Sequence, residues 1–118
     1  MVFAVNTDGT GFTNLHNFTA RSIGPPYVGT NSEGASPSGG LLLSGNTLYR
    51  TTANGGSGGV GTVFALNTDG TGFTNLHSFA AGGYDRSGDF TNSDGAFPEA
   101  GLILSGNTLY GTTTHGGS

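Results

Sequence analysis

The chain repeats itself at an interval of 61 residues, so its fold must accommodate two copies of one unit. Residues 1–57 align with residues 62–118 without insertion or deletion, and 36 of the 57 aligned positions are identical. Units repeated in this way stack on one another, so the chain is expected to adopt a repeat architecture in which each unit packs against the next. We expect one repeat domain over residues 1–118, with residues 1–61 as repeat 1 and residues 62–118 as repeat 2.

Four candidate strands occur in each repeat. In repeat 2 they are residues 63–67, 73–79, 102–104 and 108–113, and residues 80–100 form a long irregular connection. Asp-Gly at positions 69–70 and Gly-Asn at positions 106–107 predict tight turns. Helices are not expected, because Gly, Thr, Asn and Ser fill the chain and no stretch shows a sustained 3.6-residue period.

The apolar runs at residues 41–43 and 102–104 predict how the four strands are arranged. Consecutive apolar residues favour a strand buried on both faces, whereas the Thr-rich candidates favour strands nearer to solvent. A repeated unit of four antiparallel strands with one doubly buried strand fits a β-propeller blade. The Leu-rich strand would be innermost, and residues 73–79 would form the outermost strand.

The predicted fold class is therefore all-β, with two blade-equivalents per chain in circularly offset register. The chain would hold a full blade at about residues 41–79 and half blades at residues 1–18 and 102–114. Two blades cannot close a ring of roughly 4–8 blades, and open strand edges associate readily. We expect homo-oligomers of three or four chains joined head to tail, giving about six or eight blades. The alternative is that the two-repeat form is a designed or truncated part of a longer array.

Charge and composition exclude several classes of function. The net charge is −4 with three Lys and Arg residues in total, which leaves no basic surface for nucleic acids or anionic membranes. No apolar run is long enough to insert into a bilayer, and residues 1–6 lack the features of a signal peptide. The chain has no Cys, so disulfides and thiolate zinc sites are excluded, and we expect no cofactor.

The loops at one end of the predicted blades are the expected site of function. The long connection and the Gly-rich residues 53–61 would share that end, and residues 21–29 differ most from their counterparts in repeat 2. A rigid scaffold with divergent loops suits a binding site, here for carbohydrate, although repeats also drift wherever structure tolerates change. The candidate ligand contacts are Arg21, Tyr27, Asn54, Tyr84, Asp85, Arg86, Asp89, Phe90 and His115.

Catalysis has little support in the sequence. His16 and His77 occupy one repeat position beside Phe residues, and we interpret them as packed strand residues rather than general bases. Asp8 and Asp69 are interpreted as turn residues.

One stretch of repeat 2 suggests a cation site. Asp85, Asp89, Asn92 and Asp94 offer the oxygen ligands that Ca²⁺ takes from flexible loops. Repeat 1 offers only two such residues there, and the spacing is not that of the twelve-residue Ca²⁺ loop, so a repeated metal site is not encoded.

Four segments of repeat 2 together resemble a bacterial tandem repeat. They are GTVFALNTDG (61–70), FTNLHSF (73–79), DGAFPEAGL (94–102) and LSGNTLYGTT (104–113). The combination is similar to the GloVer repeat of "choice-of-anchor" proteins. That resemblance implies propeller-like repeats in long extracellular or cell-surface arrays, and it carries over no catalytic or binding residue.

Repeat 1 departs from this pattern at Ser36, Gly39 and Arg50. By strand alternation Arg50 shares a face with Leu48 and Thr52. Its side chain would either extend into solvent at the end of the strand or contact an interface or ligand.

The sequence favours two classes of function over a third. The first is a non-enzymatic binding module that assembles with itself and binds a ligand such as a glycan through the long loops. The second is a purely structural surface-array repeat without a ligand. A glycoside-active enzyme would need paired carboxylates, and Asp85 and Asp89 form the only local pair, in one repeat.

Overall fold

The computed structural model describes residues 1–21 and 29–117, and over these ranges the protein is built from strands without any helix. Within the same ranges no helix exists that is long and apolar enough to cross a membrane. The described residues form ten strands: β1 (Val2–Ala4), β2 (Thr13–His16), β3 (Ala35–Ser44), β4 (Thr47–Asn54), β5 (Thr62–Asn67), β6 (Thr74–Ser78), β7 (Gly83–Tyr84), β8 (Phe90–Thr91), β9 (Ile103–Ser105) and β10 (Thr108–Tyr110).

The largest sheet is a four-stranded antiparallel meander of β3, β4, β5 and β6 in chain order, here called the central sheet. A two-residue loop joins β3 to β4, with Ser44 opposite Thr47 and Gly45 at a φ of 58°. The pairs β1–β2, β7–β8 and β9–β10 form two-stranded antiparallel sheets. The predicted all-β class is confirmed, and the described sheets do not close into a barrel.

The two faces of the central sheet are set by alternation along β5. Phe64 and Leu66 are fully buried on one face, whereas Val63 and Ala65 point to the other face and are partly exposed. The Phe64 face packs against the β1–β2 sheet and forms the first core with Val2. The Val63 face is turned toward the β9–β10 hairpin. The molecule is therefore layered, with the central sheet between two hairpins.

A second core lies beside the connection that follows β6. Val60, Phe90 and Ala96 are buried there, and Phe79 and Phe97 pack against them. This cluster holds the small β7–β8 hairpin onto the rest of the fold.

The Asp-Gly turns are present in both repeats, as predicted. Asp69 Oδ1 accepts hydrogen bonds from Thr71 Oγ1 at 2.6 Å and from Thr71 N at 2.9 Å, and Gly70 has a φ of 87°. These bonds, the hydroxyl bond first, favour the charged carboxylate and hold the pKa of Asp69 below its ordinary value of 3.8. Asp8 makes the same contacts with Thr10, and its pKa is lowered for the same reason.

One asparagine in each repeat ties three connections together. Asn31 Oδ1 accepts hydrogen bonds from the amides of Gly34 and Gly56 at 2.8 Å, and its Nδ2 donates to the carbonyls of Gly34 and Thr19. Repeat 2 shows the corresponding set of bonds, from Asn92 to Gly95, Gly117 and Ala80. The long connection of each repeat is thereby anchored to the Gly-rich loop that follows β4 or β10.

The strand boundaries differ from the prediction by one to three residues at several ends, and two differences are larger. β3 has 10 residues and begins at Ala35, earlier than the predicted apolar run. The connection over residues 80–100 contains the β7–β8 hairpin, closed by a bond from Asp85 N to Asp89 O at 2.9 Å. With two residues per strand, this hairpin is too short for any periodicity to reveal.

The expectation that the Leu-rich strands are buried on both faces is not met within one chain. Leu43 is 61% exposed and Ile103 is 67% exposed. Each strand is covered on one face only, because no described segment packs on the other.

Candidate functional site

A groove of about 410 Å³ lies between the central sheet and the β9–β10 hairpin. Its lining is mainly apolar, and the central sheet and the hairpin each contribute side chains. The residues that define the groove are Val63, Leu76, His77, Phe79, Leu102 and Leu109.

The groove side chains from the central sheet have counterparts in repeat 1, and those counterparts are packed against another layer of the molecule. The counterparts are Val2, Leu15, His16 and Phe18. There, the His16 ring stacks on Phe73 with centroids 4.1 Å apart, and Phe18 meets Phe64 edge-on at 5.4 Å. In repeat 1 this set of side chains therefore covers an aromatic pair.

That aromatic pair also occurs twice, once covered and once open. The rings of Phe64 and Phe73 stack with centroids 5.3 Å apart, and the rings of Phe3 and Phe12 stack at 5.5 Å. Phe64 is fully buried, whereas Phe3 is 51% exposed. Among residues 1–21 and 29–117, no side chain covers the outer face of the Phe3–Phe12 pair.

Two strands beside these surfaces have an open edge. β4 pairs with both β3 and β5, but its counterpart β10 pairs only with β9. β5 pairs with β4 and β6, but its counterpart β1 pairs only with β2. In the described part of the chain, the main-chain groups on the outer edges of β1 and β10 have no neighbouring strand, and such edges recruit further strands.

The two histidines form repeated pairs with carboxylates. His77 Nε2 donates to Asp94 Oδ2 at 2.8 Å, and half of the His77 side chain is exposed in the groove. His16 Nε2 lies 3.6 Å from Glu33 Oε2, an ion-pair distance too long for a hydrogen bond, and this buried nitrogen has no hydrogen-bond partner. His16 is packed in the strand, as interpreted from the sequence, while His77 has the same position with its ring half uncovered.

A row of aromatic rings links three of the predicted ligand contacts. Tyr84 meets Phe90 at 5.5 Å, Phe90 meets Phe97 at 5.5 Å, and Phe97 meets His115 at 5.6 Å. Tyr84 is 72% exposed and His115 is exposed. Phe90 was predicted as a ligand contact, but it is buried in the second core and supports the row instead.

Phe97 was not among the predicted contacts, and its backbone is unusual. Its φ of 55° lies in the left-handed region, which bulky residues rarely adopt, and Ser36 has a φ of 54° at the same repeat position. Phe97 N donates to Val60 O at 2.8 Å, and Phe97 O accepts from Thr114 Oγ1 at 3.0 Å. These bonds hold the ring between Phe90 and His115.

The other predicted contacts do not join this row. Arg21 is exposed, and Asn54 ends β4 opposite Ala35. Within the described residues no side-chain contact connects either of them with Tyr84 or His115. Asp85, Arg86 and Asp89 form the turn of the β7–β8 hairpin, and Tyr27 lies outside the described residues.

Several oxygen atoms of the suggested cation stretch accept hydrogen bonds from within the chain. Asp85 Oδ1 accepts from the amides of Ser87 and Asp89, and Asp94 Oδ1 accepts from Ala80 N at 2.9 Å. In the part of the chain that the structure describes, no group of three His, Asp or Glu side chains is placed to hold a metal ion. The stretch closes a turn and anchors a loop.

Arg50 shares a face with Leu48, as predicted, and its guanidinium binds the neighbouring strand. Nε donates to Ser38 O at 3.1 Å and Nη2 donates to Pro37 O at 3.2 Å, beside the register shift between Ser38 and Leu42. Burial lowers the pKa of Arg50. Within the chain the side chain therefore supports the irregular part of β3 instead of extending into solvent.

Sequence reasoning missed the groove and the asparagine anchors. The groove arises from the packing of two hairpins on one sheet, which no local pattern reports. Asn31 and Asn92 did carry a signal, because the Thr-Asn-Ser segment at residues 30–32 is identical in the two repeats directly after the most divergent stretch.

Comparison of the chain with models of protein families, with curated proteins and with solved structures gave no match in any of the three. The function is therefore inferred from the geometry of this chain.

Proposed function

We propose that the protein is a non-enzymatic scaffold whose chains assemble head to tail into a ring of β-propeller blades. The central sheet would be the full blade, and the β1–β2 and β9–β10 hairpins would be half blades stacked on its two faces. Each chain offers one surface to the chain before it and a different surface to the chain after it. Contacts of this kind form a ring when the rotation closes. Three or four chains would give a ring of about six or eight blades.

One observation carries this proposal: apolar side chains that are exposed in one repeat have less exposed counterparts in the other. The described residues include ten exposed large apolar side chains: Met1, Phe3, Val5, Phe12, Leu41, Leu43, Leu76, Tyr84, Ile103 and Tyr110. For the nine whose counterpart in the other repeat is among the described residues, that counterpart is more buried; the counterpart of Tyr84 lies outside the described residues. Monomers rarely expose contiguous apolar patches, and such patches mark interaction surfaces. A second chain could therefore cover these side chains with the same surfaces that one repeat already places against the other within the chain.

The mass of the chain in solution tests this proposal. Light scattering at increasing concentration should give three or four times the chain mass of 11.8 kDa. The Phe3→Asp variant should reduce the mass to one chain, because a charge cannot be buried without a partner. A wild-type chain that stays a monomer at every concentration would rule out the scaffold proposal.

A second candidate function is carbohydrate binding at the aromatic row of Tyr84, Phe90, Phe97 and His115. The observation in its favour is that Tyr84, which is 72% exposed, lies at the end of a row of aromatic rings that continues to the exposed His115. Exposed rings stack on sugars, and a location outside the cell, as the resemblance to a surface-array repeat implies, would bring the chain into contact with glycans. A glycan array should show binding that Tyr84→Ala removes and Phe12→Ala keeps. An array without any bound glycan would leave the purely structural scaffold.

A further inference from the structure

We infer that the groove is a strand-acceptor site for the β1–β2 hairpin of a second chain. This inference rests on the proposed head-to-tail assembly and names the segment and the register that would make the contact. The groove, the open edge of β10 and the open aromatic pair are the three observations that carry it.

The main-chain register follows from the paired strands β4 and β5. Within the chain, Leu48 lies opposite Leu66 and Tyr49 lies opposite Ala65. In the contact between chains, β10 takes the place of its counterpart β4, and β1 of the second chain takes the place of its counterpart β5. This places Tyr110 opposite Ala4 of the second chain and Leu109 opposite its Val5. β1 of the second chain would then satisfy the open edge of β10, and both hairpins would become one four-stranded sheet.

The side-chain contacts follow from the covered aromatic pair. With β1 beside β10, Phe3 and Phe12 of the second chain would face Leu76, His77 and Phe79 across the groove. His77 would stack on Phe12 as His16 stacks on Phe73 at 4.1 Å. The bond from His77 to Asp94 already holds the imidazole toward this position.

The opposite surface of the second chain has a matching opening. A smaller groove of about 280 Å³ lies between β1 and the central sheet, next to Leu41. Within the chain, Tyr49 shares a gap with Leu104 and Leu109 of the next repeat. By the same repeat shift, Ile103 and Tyr110 would cover Leu41 and Leu43 of the second chain. The exposed apolar residues of both surfaces are thereby brought into contact.

Disulfide trapping between two single-cysteine chains tests the register, because the natural chain contains no cysteine. An Ala4→Cys chain is mixed with an isotopically labelled Tyr110→Cys chain and oxidised. Directly opposite Cβ atoms lie within disulfide reach, whereas a shift by two residues places them about 7–8 Å apart. A Thr108→Cys chain, exposed and on the same face as Tyr110, is the matched control. We expect the mixed disulfide dimer as the main product with Tyr110→Cys and its near-complete loss with Thr108→Cys.

A second pair of variants keeps the test informative. Phe12→Ala added to the Ala4→Cys chain should abolish trapping. Tyr84→Ala added to the same chain should leave trapping unchanged, because Tyr84 is also an exposed aromatic residue but lies outside the contact. Trapping that is equal with both cysteine partners, or insensitive to Phe12→Ala, would overturn the acceptor site. If those samples still have a multi-chain mass, the scaffold proposal survives and only the docking mode fails. A monomeric mass in all samples would contradict both.

Discussion

The pairs Phe64–Phe73 and Phe3–Phe12 have the same residues, the same turn between them and nearly the same ring separation, yet only the first is covered by a neighbouring layer. The hairpins on which they sit form independently of cover, since the Asp-Gly turn and its hydrogen bonds are identical in the two repeats. What differs is the neighbouring layer. Local sequence therefore determines the geometry of each hairpin, and the packing of a further layer determines whether its aromatic face is core or surface.

The largest expected effect comes from truncating the two aromatic pairs. Phe64→Ala should lower the free energy of unfolding by about 3–5 kcal/mol, because it leaves a cavity in the first core. Phe3→Ala should change it by no more than about 0.5 kcal/mol in a dilute, single-chain sample, because that ring is on the surface. Urea unfolding of both variants measures the difference. The conservative pair Phe64→Leu and Phe3→Leu preserves the comparison if Phe64→Ala does not fold. Equal losses would mean that Phe3 is already covered in the single chain.

The asparagine anchors should behave alike in the two repeats, because each is satisfied inside the chain. Asn31→Ala and Asn92→Ala each leave backbone amides and carbonyls without a partner, at a cost of about 1–3 kcal/mol. Thermal or urea unfolding should therefore give similar losses for both, with Ser93→Ala, an exposed neighbour, as the control near zero. A large loss for one asparagine only would show that the two connections are not equivalent.

Arg50 offers a smaller contrast between the repeats, since repeat 2 has Gly111 in its place. Arg50→Ala removes two hydrogen bonds to β3 carbonyls, and we expect it to destabilise the chain by about 1 kcal/mol. Hydrogen exchange should localise the change to residues near the register shift of β3. Unchanged exchange at Ser38 would contradict the role of Arg50 as a support for that strand.

The smallest effect is the pH dependence of the turn carboxylates. The folded-state pKa values of Asp8 and Asp69 are lowered, so these carboxylates stabilise the fold when they are charged. That stability is fully present above the unfolded-state pKa of about 3.8 and is lost as pH falls through the folded-state pKa values. Asp8→Asn and Asp69→Asn should each flatten the acid limb of the melting-temperature profile by the same amount. Unequal effects would show that one turn is coupled to a layer that covers only one repeat.

The all-β class and the tight turns could be predicted because their signals are local. Asp69-Gly70 specified a turn, and the apolar residues at 63–66 specified the strand β5. The burial of Leu43 and Ile103 was predicted wrongly for a single chain, because their second face depends on a layer outside the local sequence. Phe90 was taken for a surface contact because an aromatic residue in a divergent loop has the same sequence pattern whether it points in or out.

Hydrogen exchange at the outer edges of β1 and β10 tests the central claim most directly. In samples where the chain has a multi-chain mass, we predict that amides of β1 and β10 exchange as slowly as those of β4 and β5, and that dilution to single chains restores fast exchange. Fast exchange at β1 and β10 in the assembled sample would contradict the strand pairing between chains.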